Sequence, residues 1–248
     1  MTDFEYETSG PIGSRATFGL IVLQTDETIE HDFRRMLPVD NVALYVSRVP
    51  SGLDVSRESL STMEKTIPDA VRLFPPWLEF NSVGYGCTSG TSVVGPDRVA
   101  ELVHGEARTR AVSEPLSALV AACRYLGVSR LAFLSPYVEE VSGTLRGVLR
   151  ERGIGTPVFG SFNEAVEEKV ARLAGQSIID AAMQIGTSDE VDAVFLSCTN
   201  LRTLDVVAPL EAKLNKPVLS SNLVLAWHMM RMAGELPPAN PVGRLMQR

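Results

Sequence analysis

The alternation of short apolar runs with longer segments of helical period constrains this chain most. The runs are Thr17–Leu23, Val42–Arg48, Ser82–Tyr85, Arg130–Leu134, Thr156–Phe159, Ala193–Leu196 and Pro217–Leu219. They are rich in Val, Leu, Ile and Phe, as expected of strands buried on both faces. Between them apolar residues recur at helical spacing. In Glu114–Leu126 the stripe is Leu116, Leu119, Val120, Cys123 and Leu126. Similar patterning predicts helices over Val138–Arg150, Ala165–Ile185, Asp205–Leu214 and Ser221–Gly234. Strand-then-helix repetition implies an α/β fold with parallel sheets and right-handed crossovers.

A long-range echo runs through this alternation. Phe80-Asn-Ser-Val-Gly-Tyr-Gly-Cys87-Thr-Ser and Glu190-Val-Asp-Ala-Val-Phe-Leu-Ser-Cys198-Thr-Asn both read as strand, small residue, Cys-Thr, then helix. The simplest account is two similar lobes, residues 1–113 and 114–219, with 220–248 crossing back to complete the first. Residues 1–14 read as a loose arm.

With 248 residues, 45% of them hydrophobic, the chain can build a core without disulfide or metal staples. A net charge of −7 and no basic run argue against nucleic acid as a partner. No apolar stretch reaches the roughly 20 residues needed to span a bilayer, so no membrane partner is expected. The acidic, polar opening segment reads as neither signal nor transit peptide. Three cysteines without paired spacing point to a reducing cytoplasm, and His31, His104 and His228 lie too far apart to suggest a metal site.

Open α/β sheets bind ligands beyond the carboxyl ends of their strands, where both Cys87 and Cys198 fall. A turn into a helix N-terminus should lower a thiol pKa and favour thiolate. The same turn, with the hydroxyls of Thr88, Ser89 and Thr199 and the amide of Asn200, can cradle a carboxylate. Cys123, on an apolar helix stripe, reads as core. Gly84, Gly86 and Gly90 nearly spell a dinucleotide fingerprint, but the spacing is wrong and the loop follows the third strand. Asp26, Glu27 and Glu30 form an acidic cluster after the first strand, where a helix start ordinarily explains acids; one of them could still touch substrate. Tyr137, in Ser135-Pro-Tyr137, lies on the ligand side, whereas Asn163 could simply cap the next helix.

Gly19-Leu-Ile-Val22, Gly86-Cys87-Thr-Ser89, Ser135-Pro-Tyr137 and Leu196-Ser-Cys198-Thr-Asn200-Leu-Arg-Thr-Leu-Asp205 resemble the aspartate/glutamate racemase superfamily. Within it they are most similar to the branch holding maleate cis–trans isomerase and arylmalonate decarboxylase. Tyr-Gly-Cys87-Thr-Ser-Gly-Thr also resembles the ectoine-utilisation protein A subgroup, which would place the chain in ectoine catabolism. The resemblance implies two Rossmann-like lobes with pseudo-twofold symmetry, an active site in the cleft, and no cofactor or metal. It makes Cys87 and Cys198 the catalytic pair. It gives carboxylate binding to Thr88, Ser89, Tyr137 and the backbone at Thr199, and a substrate contact to Asn163. Maleate isomerases typically carry an Asn in the loop after the first strand. Here Leu23-Gln24-Thr25-Asp26 stands there, which makes Gln24 and Asp26 candidate contacts and argues against maleate itself, because Asp would repel a second carboxylate.

The expected function is a cofactor-independent isomerase of a small carboxylic acid. In a cis–trans version one thiolate, Cys87 in this reading, adds to an activated C=C bond, with Cys198 as acid/base partner. In a racemase version, acting on an amino acid or related acid, the two thiols work on opposite faces of one Cα. The alternatives are a malonate decarboxylase, which the second cysteine disfavours, and a non-catalytic carboxylate-binding protein. A homo-oligomer, with a dimer as one option, is the expected assembly.

Overall fold

The computed structural model describes residues 1–53 and 57–247. The first half runs β1 (Ala16–Leu23), α1 (Ile29–Met36), β2 (Val42–Val49), α2 (Arg57–Val71), β3 (Ser82–Gly86), α3 (Thr88–Val94), α4 (Pro96–His104), β4 (Val112–Ser113) and α5 (Pro115–Leu126). The second runs β5 (Arg130–Ser135), α6 (Glu139–Glu151), β6 (Gly155–Ser161), α7 (Glu167–Val170), α8 (Gly175–Gly186), β7 (Ala193–Leu196), α9 (Leu204–Leu214), β8 (Val218–Ser220), α10 (Ser221–Met232) and α11 (Gly243–Met246).

The strands form two four-stranded sheets, ordered β2-β1-β3-β4 and β6-β5-β7-β8, and every pairing is parallel. The two halves therefore repeat one topology. All eight residues of β1 are buried, as a central strand covered by helices on both faces requires. Every apolar run in the sequence becomes a strand. β4, which pairs only Val112 and Ser113 with β3, has no counterpart among them.

Helix α10 begins where β8 ends, yet packs against α5, β3, β4 and α1. Gly84 permits this close approach, since a Cβ there would stand 2.6 Å from Met229 Sδ. Glu114, buried at the start of α5, caps that helix by accepting from the amides of Leu116 (2.6 Å) and Ser117 (3.0 Å).

One expected helix differs. Ala165–Ile185 is broken into α7 and α8, with a turn between them. The break lets Glu167, the first residue of α7, turn inward and be buried while α8 packs on the sheet. Among the described residues no helix is long and apolar enough to cross a membrane.

Candidate active site

In each sheet the strand order reverses beside the central strand, so the loops after β1 and β3, and after β5 and β7, flank a topological switch point. The two switch points face each other across one cavity. Asp26 (after β1), Cys87, Thr88 and Ser89 (after β3) line it from one lobe, and Tyr137 (after β5), Cys198, Thr199 and Asn200 (after β7) from the other. Glu167 completes the wall, and Leu60 and Met63 of α2 close it. Its volume, measured as the space open to the centre of a water molecule, is about 20 Å³, room for a water or two. Electrostatic interactions gain strength among side chains so buried.

Cys87 is the N-cap of α3, and its Sγ accepts from the Gly90 amide at 3.1 Å. A Cβ on residue 90 would lie 2.7 Å from that sulfur and 2.8 Å from the Tyr85 hydroxyl, so glycine is what lets the helix turn close under the thiol. The Tyr85 hydroxyl interacts with Cys87 and donates onward to Met63 Sδ at 3.6 Å. The glycines of this loop thus serve close packing around a sulfur.

Cys198 sits in a rarer conformation, φ 136°, outside the range L-residues ordinarily adopt. Such strain costs about 1–3 kcal/mol and concentrates at functional sites. Its Sγ accepts from the Asn200 amide at 3.3 Å and lies 3.0 Å from the Tyr137 hydroxyl. Tyr137 in turn donates to Glu167 Oε1 at 2.7 Å, and Asn200 Nδ2 donates to Glu167 Oε2 at 2.8 Å. A phenol has one proton to give. With that proton on Glu167, the Cys198 S–H is the donor to Tyr137, and thiol, phenol and carboxylate form a proton relay.

The two cysteine loops brace one another. Ser221, opening α10, accepts from Thr88 Oγ1 (2.8 Å) and from the Cys198 amide (3.0 Å). Thr199 Oγ1 donates to the Gly86 carbonyl (3.2 Å), and Asn222 Nδ2 reaches both the Thr199 carbonyl and Asp32, each at 2.8 Å. Asn200 Oδ1 accepts from the Glu27 amide (2.8 Å). The side chains of Thr88, Thr199 and Asn200 thus line the cavity while their hydrogen bonds hold the lobes together.

Both thiols are harder to ionise than their helix-start positions imply. Burial pushes Cys87 up to about 12 and Cys198 well above the ordinary thiol range, and the negative charges of Glu167 and Asp26 add to the rise. The amides of Gly90 and Asn200 and the two tyrosine hydroxyls oppose it without prevailing. The expectation of depressed thiol pKa values is therefore corrected: desolvation outweighs the helix terminus. Burial also raises Glu167, against the bonds from Asn200 and Tyr137, and raises Asp26, against the amides of Ile29 and Thr28.

Two residues expected at the site lie elsewhere. Gln24 is exposed just past the end of β1, its backbone N–H bonded to the Val49 carbonyl (2.9 Å), and it does not line the cavity. Asn163 is exposed on a left-handed turn (φ 54°), its amide bonded to Ser161 Oγ (2.9 Å), and it caps no helix. Glu167 was missed: in Glu164-Ala-Val-Glu-Glu168 it reads as one acid among several on a solvated face. Among the described residues no group of three His, Cys, Asp or Glu side chains is arranged to hold a metal ion.

Comparison with known proteins places these features. The family model described as arylmalonate decarboxylase matches residues 103–246, a span that includes Cys198 and leaves out Cys87. The chain is 30% identical over 131 residues to the arylmalonate decarboxylase of Bordetella bronchiseptica, covering 52% of this chain and about half (55%) of that protein. It is 26% identical over 246 residues to the maleate isomerase of Nocardia farcinica, covering 93% of this chain and 95% of that one. The crystal structure of the maleate isomerase Iso from Pseudomonas putida S16 superposes with a TM-score of 0.83 at 21% identity, covering 93% of this chain and 98% of that chain. A cysteine-to-serine mutant of the Nocardia enzyme, solved with a covalently bound succinylcysteine intermediate, superposes at 0.79 and 24% identity, covering 94% and 99% of the two chains. With two parallel-sheet lobes around a shared cleft and a family match over more than half its length, the chain belongs to the arylmalonate decarboxylase family, in the maleate isomerase branch of the aspartate/glutamate racemase superfamily.

Proposed function

We propose that this chain is a cofactor-independent isomerase of a small carboxylic acid, with Cys87 and Cys198 as its catalytic pair. One observation carries the reading: a buried cysteine from each lobe lines the same cavity. Cys123, the remaining cysteine, is core.

Proton transfer at Cα is the version the relay favours. Cys198 passes its proton to Tyr137 as Tyr137 passes its own to Glu167, leaving a thiolate. The thiolate removes the α-proton, and the electron pair moves into the substrate carboxylate as an enolate. Cys87 then delivers its proton to the opposite face and becomes the thiolate, so the reverse reaction uses the same groups with roles exchanged. The two thiols titrate as a coupled pair.

Cis–trans isomerisation is the second reading, supported by the maleate isomerases among the relatives. There a thiolate adds to the C=C bond, the resulting single bond rotates, and sulfur is expelled with return of the electron pair. The decarboxylase reading rests on the family match through Cys198 and gives Cys87 no task. Incubation with candidate acids in deuterated water separates the three. Deuterium at Cα with inversion supports proton transfer, and geometric change without Cα exchange supports addition and rotation. Carbon dioxide release that survives Cys87→Ala supports decarboxylation. Carboxylate binding with no turnover, unaffected by loss of both thiols, would reject the catalytic reading.

A further inference from the structure

Ser221 opens α10 and is fully buried, yet its hydroxyl has no task in its own helix. Ser220 already caps that helix, accepting from the Leu223 amide at 3.4 Å. Ser221 Oγ accepts instead from groups remote in sequence, Thr88 Oγ1 in one lobe (2.8 Å) and the Cys198 amide in the other (3.0 Å). It does not line the cavity. One buried oxygen thus joins the two cysteine turns from behind.

The Cys198 turn is the one that needs holding. At φ 136° it carries a side chain in a region that suits glycine, and such a conformation persists only where its surroundings over-determine it. Three bonds do so. The Ser197 amide donates to the Leu134 carbonyl (2.8 Å), the Cys198 amide donates to Ser221, and Asn222 Nδ2 donates to the Thr199 carbonyl (2.8 Å). Two of the three come from the first turn of α10, whose body packs on β3, β4, α1 and α5 of the first half. The catalytic turn of the second lobe is therefore set by a helix anchored in the first.

We propose that Ser221 is a positioning residue for the thiol pair: its hydroxyl fixes the Cys198 backbone and keeps it in register with the Cys87 turn. The effect on turnover rests on the isomerase reading above; the effect on thiol reactivity rests on the geometry alone.

The test reads thiol reactivity first, on the full chain and without substrate. Alkylation of each cysteine by iodoacetamide is followed by mass spectrometry. In Ser221→Ala the Cys198 turn loses its clamp and opens locally, so Cys198 should react at least about ten-fold faster, with Cys123 unchanged. Ser221→Thr keeps the oxygen and should react as wild type. Equal acceleration at Cys123 would mean a merely structural role and overturns the proposal, as does an unchanged Cys198. Thr88→Val provides a second, nearly isosteric route should Ser221→Ala fold poorly. Thr88 belongs to the other lobe, so its influence on Cys198 passes through Ser221. Cys198 should react about three-fold faster or more in Thr88→Val and as wild type in Thr88→Ser. No response of Cys198 to Thr88→Val overturns the proposal.

Turnover is the second readout. Ser221→Ala should lower kcat by about 10²-fold, the cost of displacing a reacting group by about an ångström, while KM moves less than about three-fold. Where α-hydrogen exchange is measured, inversion should fall more than exchange, because exchange needs one thiol and inversion needs both in register. The two readings fail separately. A wild type that turns over no acid, with Cys198 released in Ser221→Ala, removes the isomerase and keeps the positioning role. Thiol-dependent turnover that Ser221→Ala leaves unchanged removes the positioning role and keeps the isomerase.

Discussion

The two cysteine loops are built from the same parts and end in different places. Each sulfur accepts one backbone amide, from Gly90 or Asn200, and each interacts with a tyrosine hydroxyl, Tyr85 or Tyr137. Tyr85 leads on to the thioether of Met63, which cannot take a proton at neutral pH. Tyr137 leads on to the carboxylate of Glu167. Cys87 also sits in ordinary extended backbone (φ −147°), whereas Cys198 is held at φ 136°. Duplicated topology thus supplies two equivalent thiols, and side chains outside the repeat make one of them the thiol that can be unloaded.

Among changes that leave both sulfurs in place, breaking the relay should have the largest effect. Glu167→Gln and Tyr137→Phe should each lower kcat by about 10²–10³, the scale of a positioned acid–base group. Tyr85→Phe should cost less than about ten-fold by the same comparison, since its hydroxyl hands the proton to nothing. Steady-state rates on one substrate decide this, and equal losses at Tyr85 and Tyr137 would erase the asymmetry. The pH profile sharpens it. Glu167 must be a carboxylate to receive the proton, and its pKa is raised by burial. The rate should therefore rise with pH through a value above the usual carboxylate range, and Glu167→Gln should remove that limb.

A smaller effect concerns how the Cys198 loop is held. Asp32 is raised to about 7 by desolvation and accepts from Asn222, which also holds the Thr199 carbonyl. A carboxyl with a folded pKa above its unfolded value binds more protons when folded, so its contribution to stability is full below about 4 and is lost as pH rises to about 7. Thermal melts from pH 4 to pH 8 should show Asp32→Asn flattening a decline of order a few kcal/mol in wild type. An unchanged slope would mean that Asp32 ionises normally. The smallest effect belongs to the exposed interlobe pair Arg35–Asp205 (2.5 Å). Arg35→Ala should shift stability by less than about 1 kcal/mol and leave turnover unchanged.

Periodicity made the lobes legible because a buried parallel strand needs a continuous apolar run, and each such run in the sequence became a strand. β4 escaped because two residues have no period; only its pairing to β3 makes it a strand. The cysteine turns were legible because Cys-Thr after a strand repeats at the two switch points. Glu167 was not, since its burial follows from where the helical stretch after Asn163 breaks, and a run of acids looks the same in solvent as at a wall. Asn163 and Gln24 show the converse. Residue type suited them to a substrate contact, but both are exposed and neither lines the cavity.

The pairing of the two sulfurs is tested most directly by the turnover of Cys87→Ala and Cys198→Ala, each measured beside Cys123→Ala. Losses of three orders of magnitude or more in both, with Cys123→Ala close to wild type, are the outcome this account predicts. Near-normal turnover after loss of either Cys87 or Cys198 would contradict it.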